Sequence, residues 1–282
     1  MTHSLTCTVL VDDVAGPAGI LAEHGLSFWI DADGFRILFD SGQGKAIWDN
    51  ARLLGIDLKD ADAVAISHGH YDHTGGLARL VSECRKANIY LHPGALSSRF
   101  SRSSDGSIRS IGMPPRAAES LAERADAVRW TRAAAELHPG IFVTGEIPRD
   151  TPPEAPTDRF FLDRECRVPD PFIDDQALVV DTREGAVIFL GCSHAGVGNT
   201  LSRALALSRT GKLRAVFGGM HLAEAPQEKL ERLADRITLL DPRFIGPGHC
   251  TGRHANVYLK NRFSAACTVI RTGMSFKSHE HF

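Results

Sequence analysis

The amino-acid sequence predicts an α/β (α+β) protein in which helices pack on the outer faces of β-sheets. Three observations support this fold class. Short apolar runs of strand length alternate with helical patterns along the chain. The early part of the chain consists mostly of strands joined by turn residues, whereas strands and helices alternate in the later part. Such a mixture is typical of sheets that carry helices on one face.

The predicted elements follow from these runs in chain order. Strands are predicted where short apolar runs are bounded by turn residues, at residues 7–11, 26–32, 36–40, 63–67, 88–92, 127–131, 141–145, 177–182, 186–191, 214–219 and 243–247. Helices are predicted where apolar residues recur at helical spacing, at residues 45–54, 74–87, 116–125, 197–208, 226–239 and 255–263. The pair Glu184 and Gly185 is expected in the turn of a hairpin.

Two segments are expected to be long loops. Residues 97–115 are rich in Ser, Gly, Pro and Arg, and residues 148–171 are rich in Pro and charged side chains. We find no internal repeat and no low-complexity linker, so we expect one domain that spans residues 1–282.

Composition excludes several classes of function. The net charge of -2 lacks the basic excess of a nucleic-acid-binding protein. No apolar run approaches the ~20 residues that a membrane helix needs, and the N-terminal stretch lacks the pattern of a signal peptide. The 6 cysteines are scattered, which does not indicate a disulfide framework. We therefore expect a cytoplasmic protein with reduced thiols.

Metal-binding side chains are concentrated directly after the strand predicted at residues 63–67. The stretch SHGHYDHTGGL contains His68, His70, Asp72 and His73. Neutral imidazole is the commonest protein ligand for zinc, and carboxylate is a common partner. His68 and His70 are two apart on an extended segment, so both can point the same way. Asp72 and His73 can face a neighbouring point, so the spacing predicts two adjacent metal ions.

This stretch resembles the metal-binding signature of the metallo-β-lactamase superfamily. The run RILFDSGQG is similar to the strand and turn that precede that signature, GAVIFLGCSHAG to a later strand, and IGPGHCTG to the closing Gly-His segment. The resemblance implies an αββα sandwich of two mixed sheets flanked by helices, with metals at one edge between the sheets. It also implies that His249 is the last histidine ligand. At finer grain the chain resembles a subgroup of predicted metal-dependent hydrolases, which contains a proposed archaeal dihydropterin ribofuranosyl-aminobenzene phosphate synthase.

The chain departs from the superfamily pattern at two positions. Where a bridging aspartate is usual, the sequence has Cys192, which is either a thiolate ligand or a small buried residue at a strand end. The histidine expected before the strand at 177–182 is missing, and Asp174, Asp175 and Gln176 stand there. Either Asp175 replaces that histidine, or His194 reaches across to fill the gap. We favour His194, because imidazole is an equally good ligand and lies in the same turn as Cys192.

The remaining histidines have weaker claims. His221 follows a strand that ends in two glycines, so it either lines the site or caps the strand. His24 is expected in the core or in a loop, and His92 is expected to be structural. His279 and His281 lie in a polar tail that we expect to be disordered.

These residues together suggest a dinuclear metallohydrolase. Such an enzyme would use a metal-bound hydroxide to attack an ester, phosphoester or related bond, and Asp72 would ligate one ion and orient or deprotonate the water. Zinc suits the ligands best, and manganese or iron would also fit. The subgroup resemblance allows a phosphoribosyl-type transfer as an alternative. A third reading is a metal-binding protein with vestigial activity.

The expected partner is a small-molecule substrate, with no role for nucleic acid or a membrane. Arg99, Arg102 and Arg109 lie in the predicted loop at 97–115. We expect them to be solvated, and contact with an anionic substrate is the alternative.

Overall fold

The computed structural model describes residues 1–154 and 158–282. The strands are β1 Leu5–Val11, β2 Ser27–Ala32, β3 Phe35–Phe39, β4 Ala63–Ala65, β5 Asn88–Leu91, β6 Phe100–Arg102, β7 Ile108–Ser110, β8 Val128–Trp130, β9 Ala135–His138, β10 Ile141–Val143, β11 Phe160–Phe161, β12 Leu178–Thr182, β13 Gly185–Leu190, β14 Leu213–Gly219, β15 Phe244–Gly248 and β16 Ser275–Lys277. The α-helices are α1 Ile47–Leu53, α2 Tyr71–Thr74, α3 Leu77–Glu83, α4 Pro115–Glu123, α5 Val197–Leu207, α6 Gln227–Leu240 and α7 Arg253–Phe263. Every predicted strand and helix corresponds to one of these elements.

Two mixed sheets form the centre of the molecule. The first has 7 strands in the order β16-β1-β2-β3-β4-β5-β8, antiparallel from β16 to β3 and parallel from β3 to β8. The second has 6 strands in the order β15-β14-β13-β12-β10-β9, and its β13, β14 and β15 are parallel. The parallel strands β4 of the first sheet and β13 and β14 of the second are buried on both faces, which explains their nearly continuous apolar runs.

Apolar side chains fill three layers. A central cluster that includes Phe28, Phe39, Phe189 and Phe217 lies between the inner faces of the two sheets. A second cluster covers the outer face of the first sheet with α1, α3 and α4. A third covers the outer face of the second sheet with α5, α6 and α7. The layers therefore run helix, sheet, sheet, helix, and this confirms the predicted αββα sandwich.

The two segments predicted as loops contribute strands. Residues 97–115 contain β6 and β7, and residues 148–171 contain β11, although residues 155–157 of that segment lie outside the described part. These strands form a separate sheet in the order β11-β6-β7, which we call the lid sheet. Their runs of two or three residues are too short for a pattern of alternation to reveal.

The C-terminal tail is ordered, contrary to the prediction for His279 and His281. Strand β16 pairs with β1, and Phe276 and Phe282 join the central cluster. His281 Nδ1 accepts a hydrogen bond from the backbone N–H of Lys277 (3.1 Å). The hydrophobic effect orders this tail because its two phenylalanines are buried between the sheets.

Three smaller observations complete the fold. The hairpin of β12 and β13 pairs Thr182 with Gly185, so its turn consists of Arg183 and Glu184 and not of Glu184 and Gly185. All 6 cysteines are free thiols. Within residues 1–154 and 158–282, no helix combines the length and the apolar character that crossing a membrane requires.

Candidate metal centre

The stretch SHGHYDHTGGL, residues 67–77, lies at the carboxyl end of β4, and we call it the signature loop. The backbone of this loop is fixed where α2 starts at Tyr71, because the Thr74 hydroxyl donates a hydrogen bond to the carbonyl of His70 (2.8 Å). The rings of His68 and His70 lie with their centroids 4.5 Å apart. His194, in the loop after β13, places its ring 4.9 Å from each of them. Side chains from the ends of two different sheets therefore converge at one point.

Four imidazole nitrogens at this point have no hydrogen-bond partner within the part of the chain that the structure describes. Nε2 of His68, Nε2 of His70 and both ring nitrogens of His194 are buried and unpartnered among the described residues. Because buried polar atoms are nearly always paired, such a group needs an explanation. Burial also lowers the pKa of all three imidazoles well below the usual value. They are therefore neutral, which is the form that binds a metal ion.

A second group of ligand atoms lies beside the first. His73 Nε2 is 3.2 Å from His249 Nε2 and 3.2 Å from the sulfur of Cys192. Asp72 Oδ2 lies 3.7 Å from the same nitrogen of His73 and 3.5 Å from that of His249. Cys192 belongs to two sets of three ligand atoms, one with His73 and His249 and one with His68 and His194, and within each set all atoms lie within 4.8 Å of one another. The arrangement fits two adjacent ions with Cys192 between them.

Asp40 orients one histidine of each group of ligand atoms, His73 directly and His68 through Ser67. Its Oδ2 accepts a hydrogen bond from Nδ1 of His73 (2.7 Å) and one from the hydroxyl of Ser67 (2.7 Å). That hydroxyl in turn lies 2.9 Å from Nδ1 of His68. These hydrogen bonds hold Nδ1 of His68 and of His73, so Nε2 of each ring points into the site. Histidines that bind metal ions are commonly oriented in this way by a hydrogen bond to their other nitrogen. Sequence reasoning missed this role, although Asp40 stands in the turn that precedes the signature.

Two further residues that we did not assign to the site meet His249. Asp13, just after β1, accepts a hydrogen bond from Nδ1 of His249 (2.7 Å) through one oxygen. Its other oxygen bonds Nδ1 of His24 (2.9 Å), whose Nε2 lies 3.3 Å from Asp72 Oδ2. The hydrogen bond to Asp13 raises the pKa of His24. His24 lies in the loop between β1 and β2, which is one of the two expected places, and this loop brings it to the site. For Asp13, the signal in the sequence was a pair of acidic residues at the end of a strand.

Asp175 lies outside both groups of ligand atoms. Its Oδ2 accepts a hydrogen bond from the backbone N–H of Ala195 (2.7 Å), and burial raises its pKa to about 7. It therefore holds the loop that carries His194. His221 is closer, with its ring 4.5 Å from that of His194, a buried unpartnered Nδ1 and a left-handed φ of 47°.

Arg99 is buried and not solvated. Its guanidinium forms ion pairs with Asp170 (2.6 Å) and Asp174 (2.5 Å). Asp174 also accepts the backbone N–H of Gly69 between the two signature histidines (2.8 Å). This network connects the lid sheet to the signature loop. His92 is structural as predicted, since its Nδ1 accepts the N–H of Gly94 (3.0 Å) at the start of a short helix.

A cavity of about 150 Å³ opens above these ligands. Its floor contains ligand atoms of both groups, and its walls come from the lid sheet and from α2. It is lined by His24, His70, Tyr71, Asp72, Arg109, Ile111, Arg159, Phe160, Cys192, His194, His221, His249 and Cys250. The ring of Phe172 stacks on that of His194 at 4.1 Å, so apolar groups surround the ligands.

Comparison with known proteins places this geometry in a family. The profile of the metallo-beta-lactamase superfamily matches residues 21–249, which include the signature loop, Cys192 and His249. The chain belongs to that superfamily. The match confirms the resemblance seen in the sequence, and the buried clusters of histidine and cysteine agree with a metal-dependent family.

Two proteins are similar to the chain in sequence, and a third shares its fold. The chain is 31% identical, over 95% of each chain, to 7,8-dihydropterin-6-methyl-4-(beta-D-ribofuranosyl)-aminobenzene-5'-phosphate synthase of Methanocaldococcus jannaschii. It is 31% identical to a crystallised metal-dependent hydrolase of the beta-lactamase superfamily, with a TM-score of 0.81 over 96% of this chain and 98% of the other. Zn²⁺-bound PqqB from Methylobacterium extorquens shares the fold at a TM-score of 0.58, with 14% identity and coverage of 96% and 99%.

Proposed function

We propose that this chain is a metal-dependent hydrolase that binds two divalent cations and cleaves an ester, phosphoester or related bond of a small molecule. One observation carries the proposal: imidazole nitrogens that are buried, neutral and without a hydrogen-bond partner among residues 1–154 and 158–282 converge on a cavity. Nucleic acid is not an expected partner. The free thiols of the cysteines support a cytoplasmic location, where thiols stay reduced.

The residues divide into two sets of ligands. His68, His70 and His194 would hold one ion, and Asp72, His73 and His249 would hold the other, with Cys192 between them. Imidazole and thiolate favour zinc, and manganese or iron also accept imidazole and carboxylate. When bound, a pair of such ions lowers the pKa of water and polarises the bond to be cleaved.

Asp72 is the proposed catalytic carboxylate. Burial raises its pKa, but the imidazoles of His73 and His249 outweigh burial, and the net pKa lies below the usual value. The carboxylate is therefore ionised and can orient an attacking water and accept its proton. His24 lies against the same oxygen at 3.3 Å and, tied to Asp13, holds that carboxylate in place.

A second function is favoured by the identity to the archaeal synthase. That relative matches 95% of both chains. A phosphoribosyl-type transfer would use the same ligands to hold a phosphorylated sugar, with a second substrate in place of water as the nucleophile.

Metal content gives the first test. Pure protein made in metal-sufficient medium should carry close to two transition-metal ions per chain, measured by elemental analysis. His68→Ala and His249→Ala should each lose metal because they remove ligands, whereas the exposed His279→Ala should not. A reproducible value near zero after reconstitution, or equal content in all three variants, would refute the assignment.

Turnover gives the second test. We expect metal-dependent hydrolysis within a panel of chromogenic esters, phosphodiesters, lactones and β-lactams. Two bound ions with no turnover anywhere in the panel would contradict the hydrolase. That result would favour the transferase or a metal-binding protein with vestigial activity.

A further inference from the structure

The lid sheet turns one face toward the metal centre. Phe160 of β11 pairs with Ser101 of β6, and Ser101 pairs with Arg109 of β7. Residues that pair directly across antiparallel strands present their side chains on the same face. Phe160 identifies this face, because its ring lies 5.9 Å from that of His70 and 5.6 Å from that of His194. Arg109 therefore shares the face that covers the ligands, and it lines the cavity.

Arg109 differs from the other arginines near the site in having no anionic partner. Arg99 is paired with Asp170 and Asp174, and Arg159, which also lines the cavity, is paired with Glu224 at 2.6 Å. Among residues 1–154 and 158–282, no carboxylate oxygen lies within 4.0 Å of the Arg109 guanidinium. The acidic residue that lines the cavity, Asp72, is already surrounded by the imidazoles of the metal centre.

The surroundings of Arg109 suit the organic part of a ligand. Tyr71, Ile111 and Phe160 line the same cavity and form an apolar cluster with Phe172. The backbone N–H of Tyr71 donates to the carbonyl of Ile111 (3.0 Å), which fixes β7 relative to the signature loop. Arg109 is itself exposed, so its attraction for an anion comes from its unpaired charge, and the apolar side chains beside it would contact the organic part of the ligand.

We propose that Arg109 is a specificity-determining residue that binds an oxyanion of the substrate, either phosphate or carboxylate. The guanidinium would bind the oxyanion through two parallel hydrogen bonds. The organic part would lie against Tyr71 and Phe160, and the bond to be cleaved would lie over the metal ligands. The position of that bond over the metal ligands rests on the proposed function. Binding of the oxyanion by Arg109 does not, because it can be measured without turnover.

Arg102 offers a matched control on the same sheet. It pairs with Ile108, next to Arg109, and therefore points to the opposite face. Its guanidinium carbon lies 4.9 Å from the ring centroid of Phe161, and Arg102 does not line the cavity. Arg109→Gln and Arg102→Gln thus remove the same charge from the two faces of one sheet.

The kinetic experiment compares two 4-nitrophenyl esters on the metal-loaded protein, the neutral butyrate and the anionic hemisuccinate. We expect wild type to favour the hemisuccinate in kcat/KM. Arg109→Gln should lose at least tenfold on that ester and less than twofold on the butyrate, and Arg102→Gln should match wild type on both. Equal preference in wild type and Arg109→Gln would overturn the proposal and leave the hydrolase intact.

If neither ester turns over, that result counts against the proposed hydrolase but not against oxyanion binding by Arg109. Equilibrium binding then tests Arg109 directly. Titration calorimetry with phenyl phosphate, phenylacetate and neutral benzyl alcohol distinguishes a phosphate from a carboxylate site. Wild type should bind at least one anion ten times more tightly than Arg109→Gln, and Arg109→Lys should recover part of the loss. Equal affinity of wild type and Arg109→Gln for both anions would refute the proposal.

Discussion

Cys192 is the side chain at which the two groups of metal-binding atoms meet. Burial raises the pKa of its thiol well above the usual value, so the thiolate forms there only when a cation compensates for the burial. His194 adds an imidazole two residues later, and from this loop it reaches the place of the histidine that the family pattern has before β12. The geometry places the sulfur of Cys192 among both groups of ligand atoms, whereas the sequence favours His194 over Cys192 as a metal ligand. Variants of the two residues test which of them binds the metal.

We predict that His194→Ala releases about one metal ion and abolishes activity. A first ion held by His68 and His70 alone would lack the third protein ligand that such sites require. Cys192→Ser should retain both ions with a smaller loss. Elemental analysis and activity on the same preparations measure the difference.

The outcome for Cys192 has an independent readout. A thiolate ligand would give cobalt-substituted protein a strong sulfur-to-metal band in the near ultraviolet. If wild type shows this band and Cys192→Ser lacks it, Cys192 would rank above His194 as a metal ligand. Retention of both ions in His194→Ala would direct attention to Asp175.

Asp40 provides a prediction about residues behind the ligands. Asp40→Asn keeps the shape of the side chain but removes the charge that His73 and Ser67 share, so metal affinity should fall by about 10–100-fold. Competition with a chromogenic chelator measures this affinity. The matched control is Asp49→Asn on the exposed side of α1, which should bind metal as wild type does. Equal affinities in the two variants would show that Asp40 does not support the site.

At the scale of elements, the buried ion pairs of Arg99 connect the lid sheet to the sandwich. Arg99 immediately precedes β6, and its partners Asp170 and Asp174 follow β11. Buried ion pairs contribute little net stability, but breaking one leaves an uncompensated charge. The position of the lid, and with it that of Arg109 and Phe160, therefore depends on Arg99.

We predict that Arg99→Met lowers the free energy of unfolding by about 3–5 kcal/mol, because Asp170 and Asp174 would remain buried without their cation. Arg102→Met, on the outer face of the lid sheet, should change it by about 0.5 kcal/mol or less. Chemical denaturation followed by circular dichroism compares the two. A loss for Arg99→Met as small as that of the control would show that the lid does not depend on the buried pairs.

At the scale of the whole molecule, both sheets bury their inner faces against one shared core. The last strand, β16, extends the first sheet beyond β1 and places Phe276 next to Phe217 (5.3 Å) and Phe244 (5.0 Å) of the second sheet. The C-terminal segment thus connects the two sheets through aromatic contacts, far from the metal centre.

We predict that Phe276→Ala lowers the free energy of unfolding by about 3–5 kcal/mol, the usual cost of removing a buried phenylalanine. His279→Ala, exposed three residues later, should change it by about 0.5 kcal/mol or less. Thermal or chemical denaturation of both variants checks the difference. If the tail were disordered, as its polar sequence suggests, the two variants would be equally stable.

The sequence by itself determined the α/β class and the signature loop, and its resemblance to the superfamily implied the αββα sandwich. Alternation of strands and helices is a local periodic pattern, and His68, His70, Asp72 and His73 lie so close in the chain that one strand end positions all four. Their role as ligands stays a prediction that the metal analysis tests. The glycine-rich strand ends near His194 and His249 likewise carried a local signal.

Only the tertiary structure decided which distant residues complete the site. Asp40 lies 33 residues from His73, Asp13 lies 236 residues from His249, and Arg99 lies 71 and 75 residues from its two carboxylates. The strands of the lid sheet are so short that pairing across the chain, and not local alternation, makes them strands. Local patterns report the surface that a segment must bury. They do not report which remote charge or hydrogen-bond partner will meet it, because that depends on how the sheets pack together.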